Sequence, residues 1–384
     1  MKRILIAVAF ATLSFSLLAQ PNIDLRPDRT VFFYAKDAKA AAKAVADDPV
    51  IAKKVETMAA AIQYPTTPPA AESIDKSGSL TNVAEYARMD IYQPKNPNGQ
   101  MVIVCPGGAY ALIATYNEGV YPADWLVKQG VTVGVLKYRM PNGTWNAPLE
   151  DVHNAFKYAR SHGEELGVKK VGIMGFSAGG HLAASGVVLY DDPVTRPDFG
   201  ILVYPVISME ADITHSGTRS ALLGNDTAWN DRAGHTMDEY LARQAQRDAL
   251  VEKFSCEKQV TPDTPPVFLA LCFDDMVVPP QNSLRFYEAC LKNRVTAEMH
   301  IFPKGVHGWG FNLKEYNMND NMEYCRAELL NSLSRWLGGL EEMEAAKKAA
   351  AQRGGGMFGG GMPGGPGAPG GRPQGAPQGF PPQR

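Results

Sequence analysis

Residues 171–185 read VGIMGFSAGGHLAAS, and they place one serine between glycines where an apolar run ends and a helix-like stretch begins. Residues 175–179, GFSAG, fit the pattern G-x-S-x-G with Ser177 at its centre. In a strand–turn–helix context this pattern makes a sharp turn that exposes the serine hydroxyl, because small residues on either side avoid a clash. The stretch predicts a nucleophilic Ser177; the alternative is a tight turn in which the serine is incidental.

The chain around this stretch alternates strand-like and helix-like segments. Continuous apolar runs include MVIVC (101–105) and PVFLALCF (266–273), and helical periodicity is clear in LEDVHNAFKYAR (149–160). Such alternation is typical of a mostly parallel sheet with helices on both faces. The predicted fold class is therefore α/β.

The alternation breaks at about residues 207–261, which are polar and read as several helical pieces. An insertion that leaves the sheet at a strand end is well placed to cap a site. We expect a small cap here, and the alternative is a surface excursion with no role in the site.

A serine hydroxyl is a weak nucleophile without a base, and on such a turn the acid and then the histidine follow the serine in the chain. His307 lies in FPKGVHGWGF (302–311), a glycine-flanked loop after the last strand-like run. His300 alternates within that run, and His215 and His235 fall in the insertion. His307 is the predicted base.

Two carboxylates compete for the role of the acid that orients the imidazole. Asp274 and Asp275 both lie in CFDDMVVPP (272–280), directly after a strand-like run. Adjacent side chains point in different directions, so only one can hold the histidine in the required tautomer. We choose Asp275, which enters the turn towards the next helix, and keep Asp274 as the alternative.

Backbone N–H groups must stabilise the negative charge that develops on a substrate oxygen. One donor is expected from Ala178, and others from Gly108 and Ala109 in the loop PGGAY (106–110). Tyr110 and Trp309 are candidate aromatic contacts to the substrate, or else core anchors. These groups need no metal or organic cofactor, and no Cys/His spacing suggests a metal site.

Together these motifs resemble the α/β-hydrolase superfamily over about residues 82–340. The loop PGGAY stands where esterases of the hormone-sensitive-lipase type carry His-Gly-Gly-Gly, with Pro106 and Ala109 as departures. The stretches APLEDVHNAFKYAR, DDMVVPPQNSLRFYEA and FPKGVHGWGF look closer to secreted bacterial carbohydrate esterases, especially the acetylxylan-esterase-like branch. The resemblance implies a serine carboxylesterase that removes acetyl or similar small acyl groups from xylan or xylo-oligosaccharides.

Three other readings remain open. Feruloyl esterases share much of the same pattern. A serine peptidase of the prolyl-oligopeptidase kind has the same order of catalytic residues, but it usually carries a large N-terminal propeller, for which the residues before 82 are too few. The third alternative is an inactive hydrolase fold that only binds ligands. The presence of all three catalytic residue types argues against it.

The ends of the chain differ from the middle in composition. Residues 1–19 show a basic start and an apolar run typical of a cleaved signal peptide, which predicts a secreted or periplasmic protein without stable membrane insertion. Residues 20–81 read as a helical extension and linker, and 341–384 as a helix end followed by a disordered Gly/Pro-rich tail.

The net charge and the cysteine content limit which partners and which disulfides are expected. The formal net charge of −2 argues against a nucleic-acid partner, and the oligomeric state stays open. The five cysteines are odd in number and scattered, unlike a disulfide framework. Cys105 and Cys272 are expected to be buried, while one bridge among Cys256, Cys290 and Cys325 is left open.

Overall fold

The structure, a computed structural model, describes residues 25–33, 73–74, 79–83, 87–142, 144–311 and 325–354. The predicted signal peptide, most of the predicted N-terminal extension and the tail beyond residue 354 lie outside the described residues.

The strands form one sheet of eight strands and one of three. In chain order they are β1 (Arg29–Phe32), β2 (Ser73–Ile74), β3 (Leu80–Thr81), β4 (Arg88–Tyr92), β5 (Gly99–Cys105), β6 (Leu112–Ile113), β7 (Thr132–Lys137), β8 (Val168–Phe176), β9 (Gly200–Val203), β10 (Val267–Cys272) and β11 (Ala297–Phe302).

Helices fill most of the connections between the strands. They are a π-helical turn (Tyr116–Val120), α1 (Tyr121–Lys128), α2 (Ala147–Ser161), α3 (Gly163–Leu166), α4 (Ser177–Val188), α5 (Ser216–Leu223), α6 (Asp226–Asn230), α7 (Met237–Phe254), a 3₁₀ turn (Cys256–Gln259), α8 (Gln281–Lys292), α9 (Arg326–Gly338) and α10 (Leu340–Gly354).

The large sheet has the order β1-β4-β7-β5-β8-β9-β10-β11. The pairs β1–β4 and β4–β7 are antiparallel, and every later pair is parallel. The carboxyl ends of the parallel strands therefore meet at one edge, which is where open α/β sheets bind ligands. The predicted fold class, a mostly parallel sheet with flanking helices, is confirmed.

The start of the domain was placed too late by the sequence pattern. The strand β1 lies within residues 20–81, assigned there to a helical extension and linker, and pairs antiparallel with β4. Thr30 Oγ1 donates a hydrogen bond of 2.6 Å to Asp90 Oδ1 across this pair. Only one of its four residues is buried, so β1 lacks the apolar run by which the other strands were recognised.

The central strands form the buried core. All six residues of β10 and the last five of β5 are buried. All five cysteines lie within the described residues and are buried, and none of them forms a disulfide. The expectation that Cys105 and Cys272 are buried is confirmed.

The insertion between β9 and β10 consists of α5, α6, α7 and the 3₁₀ turn. Its first segment is fixed by the buried Asn282 of α8, whose Oδ1 accepts from the amides of Ile207 (3.0 Å) and Ser208 (3.1 Å). Asn282 Nδ2 donates to the carbonyl of Ile213 at 2.8 Å. One side chain therefore attaches the start of the insertion to the helix that follows Asp275.

Residues from 338 onwards belong to a second compact unit, in which α10 is the described element. No helix in the described part of the chain is both long and apolar enough to cross a membrane.

Candidate active site

Ser177 is the first residue of α4, directly after the carboxyl end of β8. Its backbone φ is 52°, in the left-handed region that non-glycine residues rarely adopt. A Cβ on Gly175 would collide with the Gly179 carbonyl, and one on Gly179 with the Cys105 carbonyl. The two glycines are therefore required for the turn that holds Ser177 at the sheet edge.

His307 lies in the loop that follows β11 and contacts Ser177 and Asp275. Its Nε2 is 2.8 Å from Ser177 Oγ, and its Nδ1 is 2.7 Å from Asp275 Oδ2. If Nδ1–H donates to the carboxylate, Nε2 is left to accept from the serine hydroxyl, which is the tautomer that a general base requires. The structure brings the three predicted residues into one hydrogen-bonded line.

The two neighbouring carboxylates are distinguished by their partners. Asp275 is 3% exposed, and its Oδ1 accepts from the amides of Val277 and Val278, each at 2.9 Å. Asp274 accepts instead from the amide of Val306, at 2.9 Å. The geometry therefore favours Asp275 over Asp274 as the partner of the imidazole.

The loop 106–110, which follows β5, lies directly against the turn at Ser177. A Cβ on Gly107 would lie 2.9 Å from Ser177 Cβ. In the part of the chain that the structure describes, the amides of Gly108, Ala109 and Ala178 have no hydrogen-bond acceptor. Ala178 is also in the first turn of α4, where the helix dipole favours negative charge.

The structure does not place the two predicted aromatic contacts at a substrate surface. Tyr110 is 2% exposed, and its hydroxyl is 2.9 Å from His181 Nδ1 inside the core. Trp309 is 1% exposed and packs edge-to-face on Tyr204, with ring centroids 4.8 Å apart. Both residues are core anchors, the alternative that the sequence had left open.

Sequence reasoning missed a buried carboxyl behind the site. Glu118 accepts from the amide of Gly107 at 2.6 Å and from the hydroxyl of Tyr204 at 2.7 Å. Burial raises the pKa of Glu118, and the lowering effects of these two hydrogen bonds and of a protonated His307 offset this only in part. The residue stands in the stretch YNEGV, which carries no recognised motif.

His215 is a second residue that sequence reasoning did not assign to the site. It caps α5, and its Nδ1 accepts from the amide of Thr218 at 3.2 Å. Burial lowers the pKa of His215, the positive charge of His307 lowers it further, and the negative charge of Asp275 raises it. The pKa of His215 is therefore sensitive to the charges of His307 and Asp275.

A serine, an imidazole and a buried carboxylate in line, with free amides beside the serine, can carry out acyl transfer. The described residues contain no cluster of three or more His, Cys, Asp or Glu side chains that could hold a metal ion. The fold is that of an α/β-hydrolase, and the site has the arrangement typical of enzymes with a serine nucleophile.

Comparison with known proteins gives the family. The BD-FAE family model matches residues 89–290, which is more than half of the 384 residues. The chain belongs to the BD-FAE family. The matched region contains Ser177 and Asp275, and His307 lies 17 residues beyond its end (307 − 290).

Three relatives are similar to this chain. An acetylxylan esterase of Xylanibacter ruminicola is 33% identical over 255 residues, 65% of this chain and 48% of the relative. An endo-1,4-beta-xylanase B of Butyrivibrio fibrisolvens is 32% identical over 270 residues, 64% of this chain and 38% of the relative. The chain thus spans half or less of the length of these two relatives.

The third relative is a solved structure, an acetyl ester-xyloside bifunctional hydrolase from Caldicellulosiruptor lactoaceticus. It is 30% identical, the match covers 67% of this chain and 88% of that chain, and the TM-score is 0.53. These matches confirm the predicted resemblance to α/β-hydrolase esterases close to the acetylxylan esterases.

Proposed function

We propose that this protein is a serine carboxylesterase that removes acetyl or similar small acyl groups from xylan or xylo-oligosaccharides. The observation that carries the proposal is the hydrogen-bonded line from Ser177 through His307 to Asp275, beside amides without acceptors. The names of the relatives, an acetylxylan esterase and an acetyl ester-xyloside hydrolase, support the choice of ester and sugar. Export by the predicted signal peptide would bring such an enzyme to a polymeric substrate.

In the first half of the reaction the acyl group moves to the enzyme. Ser177 Oγ attacks the ester carbonyl carbon while its proton passes to His307 Nε2. The amides of Gly108, Ala109 and Ala178 donate to the oxyanion, and Asp275 stabilises the imidazolium. The bond to the sugar oxygen then breaks, and His307 returns the proton to that oxygen, leaving an acyl ester on Ser177.

In the second half, water takes the place of the sugar hydroxyl. His307 accepts a proton from the water as its oxygen attacks the acyl carbon, and the same amides hold the second oxyanion. The bond to Ser177 Oγ breaks, and the serine regains its proton from His307. The products are the free carboxylic acid and the original enzyme.

The insertion supplies a candidate contact for the sugar. Because His215 Nδ1 accepts from the amide of Thr218, the neutral ring carries its proton on Nε2. This Nε2–H has no acceptor among the described residues. We assign it the role of donor to a substrate oxygen next to the scissile ester.

One feature favours feruloyl esters as a second candidate substrate class. Phe273 and Met276, on either side of the two aspartates, are 73% and 91% exposed. Exposed apolar side chains beside Asp275 in the chain are suited to contact an aromatic or longer acyl group. A feruloyl group would use such a surface more fully than an acetyl group.

The test compares the purified protein and Ser177→Ala on acetylated xylan, feruloylated arabinoxylan, p-nitrophenyl acetate and a dipeptide anilide. We expect release of acetate, no cleavage of the anilide, and a loss of about 10³–10⁶ in kcat for Ser177→Ala. Preference for feruloylated arabinoxylan would select the second candidate. Activity retained by Ser177→Ala, or cleavage of the anilide alone, would contradict the proposal.

A further inference from the structure

The π-helical turn Tyr116–Val120 lies between the two loops that complete the site. On one side, Glu118 Oε2 accepts from the amide of Gly107 at 2.6 Å, in the loop that follows β5. On the other, Glu118 Oε1 accepts from the hydroxyl of Tyr204 at 2.7 Å. The Tyr204 oxygen in turn accepts from the amide of Gly310, three residues after His307, at 2.8 Å.

The same turn also holds the histidine loop through Asn117. Asn117 Nδ2 donates to the carbonyl of Gly308 at 3.0 Å, and its own carbonyl accepts from the amide of Phe311 at 3.1 Å. The ring of Tyr204 packs edge-to-face on the ring of His307, with centroids 4.8 Å apart. The turn therefore contacts the histidine loop directly through the side chain and the backbone of Asn117. It also contacts the loop indirectly, through the hydrogen bond of Glu118 to Tyr204.

Burial of the Glu118 carboxyl at this position lowers the stability of the fold. It is 4% exposed, and no lysine or arginine within the described residues forms an ion pair with it. A buried carboxylate without a cation loses hydration that hydrogen bonds only partly replace, so an apolar side chain would be cheaper in a purely structural role. Its two acceptor oxygens match two donors that belong to different loops of the site.

We propose that Glu118 is a positioning residue that fixes the oxyanion loop and the His307 loop relative to each other. The inference rests on the proposed function, because it assigns Gly107 and Gly310 to loops that act on the substrate and on Ser177. Single π-helical turns within helices occur frequently at functional sites, where they redirect a side chain. Here the turn directs Glu118 and Asn117 to separate loops.

The expected effect is on the chemical step. One hydrogen bond of Glu118 acts at Gly107 directly, and the other acts at Gly310 through Tyr204. Both glycines lie next to the groups that hold the oxyanion and transfer the proton. A displacement of about 1 Å at such groups costs about 100-fold in rate. Substrate affinity depends on other contacts, so kcat should fall while KM stays constant.

The experiment uses the full chain with Glu118→Gln, Tyr204→Phe and the double variant. Tyr158→Phe is the matched control, because Tyr158 is another buried tyrosine with a hydrogen-bonded hydroxyl. Tyr158 lies near the end of α2, and its hydroxyl accepts from Arg29. This end of α2 leads to the amino end of β8. Measurements are kcat and KM on p-nitrophenyl acetate, the rate of Ser177 labelling by a fluorophosphonate, and the thermal midpoint of each variant.

We expect each single variant to lower kcat by about 10- to 100-fold with KM within about twofold, and labelling to slow in parallel. The double variant should be no worse than the more damaged single variant, since both remove one connection. Tyr158→Phe should match the wild type in kcat. Tyr204→Phe removes only one oxygen atom. If Glu118→Gln lowers the thermal midpoint, the kinetic values of Tyr204→Phe decide the test.

Wild-type kcat and labelling in folded Tyr204→Phe and Glu118→Gln would overturn the inference, as would an increase in KM with unchanged kcat. Ser177→Ala, assayed in parallel, separates a failure of the proposed function from a failure of the role of Glu118. If Ser177→Ala stays active, the proposed function fails. If it is inactive while Glu118→Gln and Tyr204→Phe are fully active, only the role of Glu118 fails.

Discussion

Asp274 and Asp275 are neighbours in the chain, yet their carboxylates bind different groups of the same loop. Asp275 Oδ2 lies 2.7 Å from His307 Nδ1. Asp274 accepts instead from the amides of Val306 at 2.9 Å and Gly305 at 3.3 Å. One carboxylate therefore orients the imidazole, and the other anchors the backbone that carries it.

This division of roles predicts unequal effects for the two amide substitutions. Asp275→Asn presents an amide to His307 and selects the wrong tautomer, so kcat should fall by about 10³–10⁴. Asp274→Asn keeps an acceptor for the loop amides, and we expect a loss of about tenfold, or about 1.4 kcal/mol of activation energy. Steady-state hydrolysis of p-nitrophenyl acetate measures both. Equal losses, or a larger loss for Asp274→Asn, would show that the assignment is wrong.

Gly179 should not tolerate a side chain. Its Cβ would collide with the carbonyl oxygens of Cys105 and Pro106. Gly179→Ala forces the start of α4 away from β5, and we expect the free energy of unfolding to fall by about 2–3 kcal/mol, with loss of activity. Urea unfolding measures the change.

Gly338 provides the matched control for this substitution. A Cβ there would meet nothing within 4 Å, so Gly338→Ala should leave stability unchanged or slightly higher. Equal stability of Gly179→Ala and the wild type would contradict the close approach of α4 to the end of β5.

His215→Ala should discriminate between substrates. Removing the proposed donor should lower kcat/KM for an acetylated xylo-oligosaccharide by about tenfold, the value of one hydrogen bond to a substrate oxygen. The value for p-nitrophenyl acetate, which lacks the sugar, should change little. His235→Ala is the control, since His235 is an exposed histidine of the same insertion. Identical losses on both substrates would remove His215 from sugar recognition.

The buried His181 predicts a stability change with pH. Burial lowers the pKa of His181 from its ordinary value of 6.5 to about 4, while its ring bonds to Tyr110 and to the carbonyl of Phe254. The unfolded chain binds this proton below about pH 6.5, but the folded chain only below about pH 4. The folded state therefore loses about 3 kcal/mol as the pH falls through this window.

The measurement is urea unfolding between pH 7 and pH 4 for the wild type and His181→Gln. The variant cannot titrate at this position, so its free energy of unfolding should fall less steeply with decreasing pH. Parallel curves for the two proteins would show that His181 does not contribute to the acid lability.

Much of the triad geometry could be predicted because each residue follows a recognisable strand. Ser177 stands in a patterned turn, and Asp275 and His307 follow apolar runs whose carboxyl ends must meet at one sheet edge. The order along the chain then restricted the choice of base among several histidines. Asp274 could not be excluded from spacing, because the direction of a loop side chain depends on its backbone and its partners.

The features that the sequence left open or missed have equally local causes. Tyr110 has a φ of 58°, so its side chain turns into the core, where His181 lies at 2.9 Å from its hydroxyl. The position of Tyr110 in a loop does not determine the direction of its side chain, and the same is true of Trp309. Glu118 was missed because it stands in no recognised motif and one of its two partners, Tyr204, lies far along the chain.

The direct test of Ser177 as the nucleophile is to identify the residue that carries the acyl group. The protein is mixed with p-nitrophenyl acetate, quenched with acid within one turnover, digested and analysed by mass spectrometry. We expect one acetyl group on the peptide containing Ser177, and none on that peptide in Ser177→Ala. Acetylation of a different residue, or equal acetylation of Ser177→Ala, would contradict it.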